Sequence, residues 1–99
     1  MILTAKLDHD AFNELIKAGT AEATMKAVIE NTKPEAVYFH CVDGLRTMTL
    51  IVDLQEAAQI PTICEPFFIK FGADVDFQPC AVPADFEKCD WNAITSQWG

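Results

Sequence analysis

A chain of 99 residues makes one domain, and at this size it buries roughly 65% of its unfolded surface, so its own core has little margin. Apolar residues make up 51% of it, the upper end of the globular range, and a partner subunit is the natural outlet for what one small core cannot hide. A formal net charge of −8, with only seven scattered basic residues, argues against binding nucleic acid or an anionic membrane, and no apolar run is long enough to span a bilayer.

The chain opens with Met1-Ile2-Leu3-Thr4-Ala5-Lys6, which has no basic start and no cleavage-like site and so does not read as a signal peptide. Leu3, Ala5 and Leu7 alternate with Thr4 and Lys6, the period of a strand over Ile2 to Leu7. Asp8-His9-Asp10 then supplies carboxylates that accept from the free N–H groups at a helix start. Capping accounts for both aspartates more simply than a metal site that includes His9. Phe12, Leu15, Ile16 and Gly19 form one helical stripe; Ala21, Met25, Val28 and Ile29 form another. The shift predicts a break near Gly19-Thr20, with Thr20 starting a second cap. Pro34 biases Lys33 away from helix and ends the helical region.

Glu35 to Val42 reads as a second strand, Asp43-Gly44 as a hairpin turn, and Leu45 to Leu54 as the return strand. Gln55 to Phe71 reads as helix, with a turn before Pro61, a helix starting there and a kink or restart at Pro66. Gly72 suits a helix C-cap. Asp74 to Val82 reads as a fourth strand, and Pro79 makes it an edge. Residues 83–99 carry Phe86, Trp91, Ile94 and Trp98 on a polar background, read as a short helix plus a tail lying across something apolar. The order is therefore βαββαβ plus a tail: a single ferredoxin-like α+β domain over residues 1–99, with two helices on one face of a four-stranded antiparallel sheet.

The four cysteines, Cys41, Cys64, Cys80 and Cys89, include no CxxC pair, and without a secretory signal they read as reduced thiols of a cytoplasmic protein. Three lie in apolar stretches, where Cys packs as a small hydrophobe, which is simpler than a zinc site shared with His40. One face of every strand is apolar and takes the helices. The other carries Thr4, Lys6, Tyr38, His40, Val42, Thr47, Thr49, Ile51, Asp53, Asp76, Gln78 and Cys80. Its apolar members suggest that two such faces meet around a partly wet lumen.

The stretches Ala57 to Phe68, Phe71 to Pro79 and Val82 to Phe86 resemble the second half of small bacterial proteins of the dimeric α+β barrel superfamily. That superfamily includes muconolactone-isomerase-like and antibiotic-biosynthesis-monooxygenase-like members. The resemblance implies a homodimer whose sheets combine into a barrel, with C-terminal segments gripping the partner. No catalytic residue of the isomerase or monooxygenase branches matches a position here, and fold alone is a weak guide to function.

His40 is the first candidate for chemistry, since an imidazole titrates near neutrality. With Tyr38 and Asp76 on the same face it has the residue types to move a proton on an enol or lactone. The alternative is that His40, Lys6 and Asp76 form a network fixing the dimer register, because buried polar groups need partners in any case. Lys6 and Thr49 are the candidate ligand contacts near it. Arg46, after the turn, suits an anion at the rim or simple solvation. Phe67, Phe68 and Phe71 either line an apolar pocket or belong to the core.

Two functions stand from these residues. One is a cofactor-independent isomerase or monooxygenase-type enzyme on a small hydrophobic metabolite. The other is a non-catalytic, dimeric ligand-binding or stress-associated module. No Gly-rich phosphate loop, paired catalytic carboxylates or Ser/Cys–His signature is present, which disfavours nucleotide chemistry and acyl transfer, and no cofactor is expected.

Overall fold

The alternation at the start of the chain becomes strand β1 (Ile2–Lys6) in the computed structural model, which describes all 99 residues. Leu3 and Ala5 point into the core and are fully buried. Asp8 then caps α1 (His9–Ala18), its Oδ2 accepting from the Ala11 N–H at 2.9 Å. The expected break falls at Gly19, whose φ of +74° is a left-handed cap that a residue with a Cβ adopts only under strain. Helix α2 (Ala21–Thr32) follows at once. Thr20 precedes it but does not cap it; its hydroxyl donates back to the Leu15 carbonyl at 3.5 Å.

Strands β2 (Ala36–Val42) and β3 (Leu45–Ile51) are joined by Asp43 and Gly44 at φ +54° and +75°. Two successive positive φ values are the mark of the type I′ turn, whose twist matches that of the flanking strands. Strand β3 stops at Ile51, three residues before the expected Leu54. Residues 55–58 are not helical either. The Gln59 side chain draws them in, its Oε1 accepting from the N–H groups of Gln55 and Glu56 at 2.8 and 3.0 Å.

Helix α3 (Gln59–Phe71) starts two residues ahead of Pro61 and runs through Pro66 with no restart. Pro66 has no N–H for the carbonyl four residues back, that of Thr62. That orphan carbonyl accepts instead from the Asn31 side chain of α2, at 2.9 Å. A bond that the helix cannot make internally is thus supplied by its neighbour. Gly72 closes α3 in the left-handed conformation at φ +53°. Strand β4 (Asp74–Gln78) ends directly before Pro79, four residues short of the expected Val82. Helices α4 (Pro83–Glu87) and α5 (Trp91–Trp98) complete the chain, two helices where one was expected.

The four strands form one antiparallel sheet in the order β2-β3-β1-β4. The protein is therefore α+β with a four-stranded antiparallel sheet. Three helices, not two, lie on one of its faces, because Gly19 divides the first crossover. The core sits between them. Leu3, Ala5, Leu7, Met48, Leu50 and Val52 from the sheet side meet Phe12, Val28, Ile63, Phe67 and Phe71 from the helices. Phe71 centres the aromatic part, with ring centroids 6.0 Å from Phe12 and 6.2 Å from Phe67. No helix is long and apolar enough to cross a membrane.

The C-terminal segment adds nothing to this core. Every residue from Gln78 to Gly99 is exposed. The radius of gyration is 17.3 Å, where ~13 Å is usual for a compact chain of this length. The molecule measures 61 × 27 × 19 Å, so the segment projects well beyond the sheet as an arm. Its internal order is nevertheless good. The Asp85 carboxylate accepts from the Val82 N–H at 2.9 Å, Asp90 caps α5 through the Ala93 N–H at 3.0 Å, and the Trp91 indole N–H donates to the Phe86 carbonyl at 3.2 Å.

The link between Asn31 and Pro66 is open to a double-mutant cycle. Asn31→Ala is expected to cost about 0.5–1 kcal/mol in urea unfolding, the net worth of one hydrogen bond between exposed groups that water partly replaces. In a Pro66→Ala background, where a restored N–H reaches the same carbonyl, the cost should fall close to zero.

Candidate functional site

Strand alternation divides the polar residues between two faces. On the face opposite the helices, the register aligns Tyr38, Thr49, Thr4 and Asp76 in one cross-strand row, and His40, Thr47, Lys6 and Asp74 in the next. Ile2, Ile51, Val42 and Leu45 stand among them, each partly exposed. The face is mixed and no helix of the chain covers it.

His40 Nε2 and Thr49 Oγ1 are 2.6 Å apart, a short hydrogen bond across the hairpin between neighbouring rows. Tyr38 stands beside them, 61% exposed. Asp76 does not join this group. It lies on β4 at the opposite edge of the sheet, three strand spacings or ~14 Å from Tyr38. The three candidates for proton transfer therefore share a face without sharing a site.

Lys6 is engaged elsewhere. Its Nζ pairs with Asp43 Oδ2 at 2.9 Å, tying β1 to the hairpin turn. That hydrogen bond and the Asp43 charge hold the ammonium above its ordinary pKa of 10.5, with Asp76 and Asp74 adding to the effect. Thr47 is buried on the same face and satisfies its hydroxyl locally, donating to the Leu45 carbonyl at 3.0 Å.

Arg46 belongs to the other face. It pairs with Cys41 in the register, and its guanidinium lies 4.9 Å above the Phe12 ring centre. Nη2 donates to Asn13 Oδ1 at 3.1 Å, while Nη1 is buried without a partner. Arg46 is thus a packed side chain on the helix side of the sheet, where a rim or solvated position was expected. It borders a groove of about 370 Å³ whose walls include Leu7, Phe12, Met25, Phe39, Cys41 and Met48. His40 and Thr47 border it too, from strands whose alternation turns their side chains the other way. A second hollow of about 640 Å³ continues from the first along α2, sharing Met25 and Phe39 and adding Ala21, Lys26 and Ile29. A third, polar hollow of about 580 Å³ lies between the end of α2 and the start of α3.

Phe67 and Phe71 are fully buried in the core, Phe68 faces outward, and none of the three lines a hollow. No cluster of three or more His, Cys, Asp and Glu side chains stands close enough to hold a metal, and Asp8 is occupied as a helix cap. Sequence reasoning missed the groove, although the alternation of Phe39 with His40 and of Arg46 with Thr47 signalled which residues would face the helices. It also missed Asn13 and Asp43, the partners that hold Arg46 and Lys6.

No model of a known protein family, no curated protein and no solved structure matches this chain. Fold and surface define a small α+β protein with two unfilled features: a mixed, open sheet face and an apolar groove beside α2.

The thiols divide by burial. Cys41, Cys80 and Cys89 are exposed, whereas Cys64 is buried, and burial together with the neighbouring Glu65 charge raises its pKa above the ordinary 9.0. Three thiols should react promptly with a thiol reagent at pH 8 and the fourth only on unfolding. The raised value means that the fold holds the neutral thiol while the unfolded chain ionises. Its stabilising effect is complete below pH 9 and is lost as pH rises toward the folded-state value. Lys6 has the same sign above 10.5, so urea midpoints should fall at alkaline pH, and Cys64→Ala should remove the part that begins near pH 9.

Proposed function

We propose that this chain is one half of a cytoplasmic homodimer of the ferredoxin-like, dimeric α+β barrel type, and that it serves as a non-catalytic module binding a small hydrophobic metabolite. The observation that carries this reading is the open sheet face. Tyr38, Val42, Leu45 and Ile51 stand there with hydrogen-bonding groups between them, and three helices pack on the opposite side only. A face of that composition, laid against its own copy, encloses a space with apolar walls and fixed polar points, which is the common make-up of a small-molecule site. The strand order β2-β3-β1-β4 fits a ferredoxin-like sheet whose first crossover has been split in two. Residues 57–86 add the resemblance to the barrel superfamily.

Binding is favoured over catalysis because His40, Tyr38 and Asp76 do not converge on one point. One observation speaks for the enzymatic alternative. His40 is held by Thr49 at 2.6 Å beside the Tyr38 phenol, an arrangement able to shuttle a proton on an isomerase or monooxygenase-type substrate without a cofactor.

Native mass spectrometry of the untagged protein, against a denatured control, should show a dimer, and an added increment would give the mass of a retained ligand. A monomer at micromolar concentration would overturn the proposal. Tyr38→Lys places a charge in the joined faces while replacing a side chain that is already largely exposed. It should preserve the circular dichroism spectrum and weaken the dimer at least tenfold, about 1.4 kcal/mol. For a metabolite identified by its mass, His40→Ala should alter affinity alone; loss of turnover with binding retained would favour the enzyme.

A further inference from the structure

The two edges of the sheet differ in how they are guarded. Strand β4 is short, carries Asp74 and Asp76 and stops at Pro79, three features that discourage a further strand from pairing there. Strand β2 has none of them. It runs for seven residues, AVYFHCV, without proline, lysine or carboxylate, and Tyr38, Phe39, His40 and Cys41 are all exposed. Phe39 lies on the helix side, yet it is 60% exposed, because the helices stop short of this strand.

The ladder fixes which backbone groups of β2 are free. The Leu7 N–H donates to the Arg46 carbonyl and the Val52 N–H to the Met1 carbonyl, which turns Arg46, Met48, Leu50 and Val52 toward β1. Leu45, Thr47, Thr49 and Ile51 are left to bond β2, through Val42, His40, Tyr38 and Ala36. The N–H and C=O groups of Val37, Phe39 and Cys41 therefore point away from the sheet, where the chain has no further strand to meet them.

We infer that the free edge of β2 pairs with β2 of a second copy, antiparallel about a twofold axis at Phe39, to make one continuous eight-stranded sheet. The strand reads nearly alike from both ends. Full overlap sets Phe39 level with the partner's Phe39, Val37 with the partner's Cys41 and His40 with the partner's Tyr38. Val37, Phe39 and Cys41 of each copy then exchange all their outward groups, six hydrogen bonds in all. Glu35 and Asp43 come level just beyond the strand ends, and Lys6 already answers the Asp43 charge. The hollow of about 640 Å³ beside α2 is lined by that helix and Phe39 alone, so it lies at this edge. With Cα atoms ~5.5 Å apart, the two Phe39 rings stand side by side at its mouth, against Met25 and Ile29. The contact uses the same surface on both copies and so closes at two chains. It does not depend on the joining of open faces proposed above. Seven residues of strand edge bury less than the ~800 Å² per partner of a standard interface, so the pairing depends on concentration.

Sedimentation velocity of the reduced, untagged protein, from micromolar to near-millimolar concentration, tests this. The mass should double: from dimer to tetramer where the open faces also join, from monomer to dimer where they do not. The starting mass thus reports on the open faces and the doubling on the edge. Phe39→Pro removes one outward N–H and keeps every bond to β3, so it should abolish the doubling with the circular dichroism spectrum unchanged. Phe39→Lys keeps the N–H, sets two like charges level across the axis and should do the same. The register is read by oxidation. Phe39→Cys, with Cys41, Cys80 and Cys89 changed to Ser, should give disulfide-linked pairs, since its thiols meet at the twofold axis. A chain keeping Phe39 and Cys41, with Cys80 and Cys89 changed to Ser, should give almost none, because its thiols stand four residues or ~13 Å apart along the strands. A mass unchanged by concentration and by both substitutions would overturn the inference, as would a doubling that survives both. Bridging through position 41 in preference to position 39 would overturn it too.

Discussion

Three helices laid on one face of a four-stranded sheet leave the other face bare, and here they also leave the outer strand of their own face bare. The open face with Tyr38 and His40, the exposed Phe39 and the groove beside α2 all follow from that shortage of cover. A short chain with half its residues apolar has more to hide than one core can take. The core therefore fills where β1 and β3 meet the three helices, and the remainder stays at the edges.

Where the core does fill, polar groups find partners from distant parts of the chain. Pro66 strands the Thr62 carbonyl and Asn31 of α2 meets it; Lys6 reaches the turn at Asp43; Arg46 rests on Phe12 with Asn13 at its side. Each contact joins two elements that the backbone ladder does not connect. The exception is Arg46 Nη1, buried without a partner, whose desolvation is a local cost against the cation–π contact.

Most elements were legible because their signals are local: alternation for β1, Gly19 for the helix break, Asp43-Gly44 for the hairpin. Pro66 misled because its compensation sits 35 positions earlier, at Asn31, where no local pattern refers to it. Strand ends were overextended because Val52 and Leu54 continue the apolar alternation after the ladder has stopped. The candidate site was legible in face and not in distance. Periodicity correctly put Tyr38, His40, Thr49, Lys6 and Asp76 on one side, but strand order sets how far apart they lie, and it inserts β3 and β1 between Tyr38 and Asp76. Phe67 and Phe71, four apart, share the buried stripe of α3, while Phe68 falls off it.

Strand β1 is made before either of its neighbours, yet it stands between them, bonded to Thr47–Ile51 on one side and Asp74–Gln78 on the other. The β2–β3 hairpin can close as soon as it is synthesised, since its turn is two residues long. Leu3, Ala5 and Leu7 must instead wait for Ile63, Phe67 and Phe71 of α3 before the core closes over them, and closing so long a loop is entropically slow. A nascent chain of this protein therefore carries the fully buried positions of its central strand, Leu3 and Ala5, uncovered until those helical residues have emerged. That interval is when association with other unfinished chains is hardest to avoid.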